Sequence, residues 1–356
     1  MSKKIILTGG GTAGHVTPNM ALIPGLKKHG FEIKYVGSYD GIEKKLIEEI
    51  GVDYEGISSG KLRRYLSAKN LTDPFRVVKG YSEAKKIMKE YAPDIVFSKG
   101  GFVSVPVVLA AKKYKIPVII HESDMTPGLA NKLSISAAHT ICHNFPETAQ
   151  YLPNGKSLLT GSPIREELRS GDKLSGLTMC GFHSNKPVIM IIGGSLGAAS
   201  VNQAVRDSLD ELLKKYQVVH LCGKGKMDES LNNISGYKQF EYIKSELKDL
   251  FAMTDLVISR AGANAICEIV ALRKPNVLIP LSAKASRGDQ ILNAASFKNQ
   301  GFSEVIEEEN LTPATLVETV NMVYDNRDKY IASMDNAGTT DAVSTIIDLI
   351  EKTCAK

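Results

Sequence analysis

Short apolar runs rich in β-branched residues alternate with helix-patterned stretches along the chain, and the alternation starts afresh at Lys186-Pro187. Strands separated by helical segments cannot pair as hairpins; they form an open parallel sheet with helices on both faces. In the first half, strands are expected at Lys4–Thr8, Glu32–Val36, Asp94–Phe97, Val118–His121 and Thr140–Cys142. Helices are expected at about Asn19–His29, Gly41–Ile50 and Val105–Tyr114. In the second half, Val188–Ile192 leads into a glycine turn and a helix through Val201–Tyr216, and strands recur at Gln217–Leu221, Asp255–Ser259 and Asn276–Ile279. The polar stretch from Gly161 to Lys186, with Gly171, Gly176 and Gly181, reads as a linker, and a last helix as Thr340–Lys356. The fold class is α/β, with two doubly wound parallel-sheet domains, and 356 residues suit two domains of ordinary size. Such folds bind ligands beyond the carboxyl ends of their strands, so a cleft between two facing sheets is the expected active site.

Composition narrows the class. Hydrophobic residues make up 43% and charged residues 23%, which excludes disorder and collagen-like repeats. The five cysteines are scattered without a C-x-x-C pair, the usage of a reducing compartment, and offer no zinc framework. The N-terminal apolar run is too short for a signal peptide, and no stretch approaches the ~18 apolar residues of a spanning helix, so a cytoplasmic location is expected. The net charge of +5 is concentrated. Lys61–Lys89 carries nine basic and two acidic residues, a local +7, which leaves −2 for the remainder. Such a patch suits an anionic partner, nucleic acid or membrane, or else is a solvated helix face.

The loops after the strands carry the chemistry. Gly9-Gly10-Gly11-Thr12-Ala13-Gly14-His15 matches G-x-G-x-x-G, whose glycines let backbone N–H groups approach a phosphate. The second strand ends Tyr35-Val36-Gly37-Ser38 without the ribose-binding acid of a dinucleotide site, and the turn lacks a Walker lysine. Gly193-Gly194-Ser195-Leu196-Gly197 reads as a nucleophile elbow or as a diphosphate cradle. The elbow needs a later histidine, and only His220, in or beside the very next strand, follows. After Ser259-Arg260-Ala261-Gly262 a small-residue helix begins, and Glu268 either complements its dipole or accepts ribose hydroxyls. Ser286–Ala294 offers donors and acceptors for a polyol, and His121-Glu122-Ser123-Asp124 follows a first-half strand. His139 and His143 bracket Cys142 and read as packing residues, not metal ligands.

Seven segments in register resemble the MurG family of peptidoglycan N-acetylglucosaminyltransferases nearly end to end. They are GGGTAGH (Gly9–His15), SKGGFVSVP (Ser98–Pro106), HESDMTPGLANK (His121–Lys132), GSPIR (Gly161–Arg165), GGSLGA (Gly193–Ala198), RAGANAICE (Arg260–Glu268) and RGDQILNA (Arg287–Ala294). The resemblance implies a GT-B fold of two Rossmann-like domains: 1–162 for acceptor and membrane, 163–340 for the UDP-sugar, and a helix at 341–356 returning towards the first. It implies inverting transfer of N-acetylglucosamine from UDP-N-acetylglucosamine to the C4 hydroxyl of lipid I, at the cytoplasmic face of the membrane, with no cofactor and no metal. By the same resemblance Thr12, Ala13 and Gly14 meet the donor, Arg165 belongs to a hinge segment, and Ser195 lies beside the diphosphate. The backbone of Ile243 pairs with uracil; Ala263, Asn264, Ala265, Ile266, Cys267 and Glu268 hold diphosphate and ribose; Gln290 reads sugar hydroxyls. His15 is the candidate general base, since an imidazole suits neutral pH. The family pattern is broken at Ala13, where many members have glycine, at Leu196, where glutamine is common, and at Asp124, where a donor-contacting asparagine is usual.

With a lipid-borne acceptor, the partner of Lys61–Lys89 becomes an anionic membrane surface and not nucleic acid. Leu71, Phe75 and Val78 lie among its charges, while Tyr81, Ala84, Met88 and Tyr91 form a stripe expected to face the core. The competing readings are a diacylglycerol glycosyltransferase, a UDP-N-acetylglucosamine 2-epimerase, an NAD-dependent oxidoreductase and a serine hydrolase.

Overall fold

The computed structural model describes residues 2–60, 69–194, 197–286, 288–337 and 341–355, with side chains from 75 onward in the helix that opens at Lys69. Two compact units emerge, Met1–Arg165 with Thr340–Lys356, and Glu166–Thr339. Among the described residues the first unit holds β1 (Lys3–Thr8), β2 (Phe31–Ser38), β3 (Asp53–Ile57), β4 (Ile95–Ser98), β5 (Val118–Glu122), β6 (Thr140–His143) and β7 (Ser157–Leu159). The second holds β8 (Val188–Ile192), β9 (Gln217–Leu221), β10 (Tyr237–Phe240), β11 (Leu256–Ser259), β12 (Asn276–Leu278) and β13 (Glu304–Val305). The strand orders are β3-β2-β1-β4-β5-β6-β7 and β10-β9-β8-β11-β12-β13. Every pairing is parallel. Both are Rossmann-like sheets.

Alternation of side chains sorts each apolar strand between two helical layers. Ile5, Leu7, Ile95 and Phe97 face one layer, with Leu22 and Leu26 of the helix Thr17–Lys28. Ile6, Val96, Val118 and Ile120 face the other, with Ala84, Met88, Val107 and Val108. The helix Ala342–Cys354 adds Ile346, Ile347 and Ile350 to the first layer. It approaches closely because Gly25 has no side chain; a Cβ there would lie 2.3 Å from Ile347 Cδ1.

Three expectations are corrected. The strands β3, β7, β10 and β13 escape the sequence reading, and they are the four edges of the two sheets. Edge strands need not be continuously apolar, and Asp53-Tyr54-Glu55-Gly56-Ile57 and Tyr237-Lys238-Gln239-Phe240 are not. The helix expected over Val201–Tyr216 is two helices, Ala199–Asp207 and Leu209–Lys215, divided at Ser208, whose hydroxyl donates to Ala204 O. The stretch 161–186 is not a bare linker. It contains a 3-10 turn, Glu166–Arg169, and a helix, Lys173–Cys180, capped by Asp172 and ended by Gly181 at φ 68°. Leu168, Leu177, Cys180 and Phe182 are core residues of the second unit, packed with Leu250 and Phe251.

Gly176 is one tight point of that packing, since a Cβ would fall 2.4 Å from Asp249 O. Gly176→Ala should therefore lower the unfolding free energy by about 1–3 kcal/mol in a urea titration, whereas a linker glycine would leave it unchanged.

Candidate functional site

β1 and β4 are neighbours, yet the helices that follow them cover opposite faces, so their loops part at the point where strand order reverses. After β1 the chain turns at Gly11 (φ 86°) into a 3-10 turn, Ala13–His15, which places Thr12, Ala13, Gly14 and His15 at this point. Two buried charged groups hold the loop. Glu43, fully buried in the helix Ile42–Glu49, accepts the Gly11 N–H (3.1 Å) and the N–H and hydroxyl of Ser38. Gly10 leaves room for it: a Cβ there would lie 2.5 Å from the Glu43 carboxylate. Glu43 thus occupies a loop N–H that a phosphate cradle would offer its ligand.

Lys99, just after β4, is 1% exposed. Its Nζ donates to His121 Nδ1 and Ser123 Oγ, each at 2.6 Å, and its carbonyl accepts from His15 Nδ1 at 3.1 Å. A carbonyl only accepts, so the proton of neutral His15 sits on Nδ1 and Nε2 carries the lone pair. His121 takes the opposite tautomer, donating from Nε2 to Gly161 O at 2.9 Å. Burial first, and then the Lys99 charge, hold His15 below the usual histidine range; the bond to the Lys99 carbonyl, Asp124 and Glu43 oppose this less strongly. Asp124, which stands where the family has a donor-contacting asparagine, lies on the loop after β5. That loop is shaped by Glu122, 4% exposed, which accepts from Asn131 Nδ2 (2.8 Å), Gly128 N–H (2.9 Å) and Asp124 N–H (3.0 Å). Arg165 lies beyond β7, at the end of this unit's first stretch. His143 is buried on β6 with Nδ1 on Phe145 O (2.9 Å), as a packing residue.

In the second unit, strand order reverses at β8, between β9 and β11. Gly197 (φ 66°) passes so close to β9 that a Cβ would meet Cys222 O at 2.0 Å. Ser195 and Leu196 lie outside the described residues, as does Arg287. His220 cannot serve an elbow at Ser195: it is fully buried, bonded to Tyr237 OH (2.9 Å) and Asn202 Oδ1 (3.0 Å), and burial and Arg206 push its pKa down to about 3. After β11 the helix Ala263–Ala271 begins behind Gly262, with Ile266, Ile269 and Val270 anchoring it and Asn264, Ala265, Cys267 and Glu268 partly exposed. Its first N–H groups have no partner within the helix. Arg260 binds these loops together, donating to Ile279 O and Pro280 O (3.2 Å each), Ser200 Oγ (3.0 Å) and Glu308. Gln290, in the helix Asp289–Asn299, accepts the Leu281 N–H at 3.0 Å, which turns its amide –NH2 outward from that contact. Ile243 follows β10, on the far side of β9 and β8 from Ala263. About 14 Å of sheet, three strand spacings, separates these loops.

The helix Lys69–Tyr91 packs Ala84 and Met88 into the first unit's core, with Tyr81 and Tyr91 against it, and exposes Phe75 (78%) and Val78 (68%). Residues 61–68 lie outside the described part, and so does the side chain of Leu71. A groove of about 620 Å³ beside this helix is lined by Val77, Val78, Tyr81, Leu109, Lys112, Lys113 and Lys115. The last three lysines extend the basic surface beyond the segment the sequence singled out. Sequence reasoning also missed Glu43 and Lys99. Lys99 stood inside a quoted motif, but only the fold shows it buried; nothing local marks Glu43.

Two parallel-sheet units, each with a glycine-bearing loop at its order reversal, form a double Rossmann-like architecture suited to nucleotide-linked substrates. Family models agree: residues 5–142 match the glycosyltransferase family 28 N-terminal domain and residues 188–350 its C-terminal domain. The chain belongs to glycosyltransferase family 28 and, within it, to the MurG group. A Lachnoclostridium phytofermentans protein named UDP-N-acetylglucosamine–N-acetylmuramyl-(pentapeptide) pyrophosphoryl-undecaprenol N-acetylglucosamine transferase is 65% identical over 98% of this chain and 99% of its own. A Clostridium botulinum protein of the same name is 58% identical over the same shares. Among solved structures, Acinetobacter baumannii MurG is similar at 25% identity and a TM-score of 0.75, covering 98% of this chain and 99% of that one. The calicheamicin glycosyltransferase CalG4 shares the fold at 14% identity and a TM-score of 0.71, covering 100% of this chain and 99% of its own.

The Arg260–Glu308 pair sets a pH dependence. Burial works against the Glu308 charge, but bonds from Arg260, Ser200 and the Ser282 N–H outweigh it and hold the carboxyl at about 2, below its ordinary 4.5. This stabilisation is complete above pH 4.5 and is lost as pH falls towards 2. Urea unfolding at pH 6 and pH 3 should show wild type losing on the order of 1–3 kcal/mol more than Glu308→Gln.

Proposed function

We propose that the protein transfers N-acetylglucosamine from UDP-N-acetylglucosamine to the C4 hydroxyl of undecaprenyl-diphospho-N-acetylmuramoyl-pentapeptide, giving a β-linked disaccharide. Full-length identity of 58–65% with transferases of that name supports the substrates. The observation that carries the chemistry is the His15 ring, tied through Nδ1–H to Lys99 O and so left with a basic Nε2. Nε2 takes the proton of the C4 hydroxyl as that oxygen attacks the sugar C1 from the face opposite the diphosphate. The C1–O bond to the diphosphate breaks, UDP departs with the electron pair, and the anomeric centre inverts.

The departing charge needs stabilisation. In this reading the N–H groups of Ala263, Asn264 and Ala265 at the helix start meet the diphosphate, with Ser195 beside it, and Glu268 accepts the ribose hydroxyls. One preorganised donor of this kind contributes about 3 kcal/mol to the transition state. Uracil on the Ile243 backbone then lies across the loop after β8, a span that an extended nucleoside diphosphate can cover. Gln290 reads the sugar hydroxyls, and Thr12, Ala13 and Gly14 meet the donor; Asp124 stands in place of the family's donor-contacting asparagine, and Arg165 belongs to the hinge segment. Among the described residues no group of three or more His, Cys, Asp or Glu could hold a metal ion.

Incubation with labelled UDP-N-acetylglucosamine and a short-chain lipid I analogue tests this. His15→Ala should lose turnover at least a hundredfold and keep donor binding, and Glu268→Ala should lose donor binding. Turnover retained in His15→Ala would overturn the assignment.

The acceptor is membrane-borne, and among the described residues no helix is long and apolar enough to cross a bilayer. Peripheral docking at the cytoplasmic face through Lys61–Lys89, with exposed Phe75 and Val78 and the neighbouring Lys112, Lys113 and Lys115, fits this. At ~1 kcal/mol per basic residue near an anionic surface, reversing Lys79, Lys85 and Lys86 to Glu should weaken sedimentation with phosphatidylglycerol vesicles tenfold or more. Raising NaCl should weaken it likewise, and salt-independent binding would contradict the assignment.

A further inference from the structure

Removing an ammonium from water costs several kcal/mol, so a lysine 1% exposed is retained against a penalty that methionine would avoid. Lys99 sits where four strand-end loops meet. Its Nζ binds His121 and Ser123 of the loop after β5, His121 in turn holds Gly161 O beyond β7, and its own carbonyl holds His15 after β1. The loop that carries it is pressed home by glycine. At Gly101 (φ 85°) a Cβ would lie 2.3 Å from Gly10 O, so the loops after β4 and β1 touch backbone to backbone.

We propose that Lys99 is a positioning residue for the transfer: its buried ammonium, seated on His121 and Ser123, fixes the carbonyl that orients His15 and sets a positive charge beside that ring. The inference rests on His15 as the base. A cation next to an imidazole disfavours the imidazolium, so Lys99 keeps Nε2 unprotonated at lower pH. The charged groups facing His15 are Lys99 from the loop after β4, Asp124 from the loop after β5 and Glu43 from the helix Ile42–Glu49, and the two carboxylates act oppositely and more weakly.

The experiment pairs the pH profile of kcat/KM with an NMR titration of His15 in the full chain, for wild type, Lys99→Met, Lys99→Gln and Lys99→Arg. Glutamine keeps a donor for His121 without the charge, and so covers the case in which methionine does not fold. In both neutral variants the His15 midpoint and the acid limb should rise together by about half a pH unit or more. Lys99→Arg, which keeps the charge, should leave both within about 0.2 unit of wild type even if turnover falls. A His15 midpoint unmoved in the neutral variants overturns the proposal, as does an equal rise in Lys99→Arg; lost stability or rate with both midpoint and acid limb unmoved marks a merely structural lysine. A midpoint that rises while the acid limb stays put supports the coupling to Lys99 and overturns His15 as the base.

Discussion

A parallel sheet delivers every strand-to-helix loop to one edge, and the chemistry of this chain depends on that. At β1/β4 and again at β8/β11 the helices part to opposite faces, and small residues fill the gap. Gly10 and Gly101 let two loops of the first unit touch, while Gly197 brings the loop after β8 against β9. Backbone N–H groups are the chemical capital of such an edge. In the second unit they gather at the start of Ala263–Ala271, where the helix itself does not bond its first N–H groups.

The first unit uses the same geometry differently. There the Gly11 N–H is taken by Glu43 from within the protein, and the loop ends on a histidine whose tautomer is set by a carbonyl. A glycine fingerprint that reads as a phosphate cradle is here a scaffold that positions His15, the base of the proposed mechanism. The ring is held by the backbone of Lys99, and burial first, then the charge of that same residue, lowers its proton affinity.

How much of this was legible in the sequence follows from burial. Interior strands such as Val188–Ile192 are covered on both faces and read as unbroken apolar runs, so they and the α/β class stood out. Edge strands have one neighbour and tolerate Asp53, Glu55 and Lys238. The stretch at 161–186 looked like a linker because its glycines serve close packing and a helix stop, not freedom. The small-residue loop motifs were visible because backbone approach restricts composition. The buried partners were not, since Glu43 and Lys99 resemble surface residues until the fold supplies Ser38, His121 and Ser123 around them. The hydrogen bonds of Arg260 and its ion pair with Glu308 join loops that no local pattern connects.

The central claim is that a uridine-linked sugar is gripped at the carboxyl edge of the second sheet by peptide N–H groups and Glu268. The most direct measurement is calorimetry of UDP-N-acetylglucosamine with the wild-type chain in buffer containing EDTA. The account predicts one saturable heat per chain, suppressed when the protein is first saturated with UDP. Absence of heat, or heat that returns only with an added divalent cation, would contradict it.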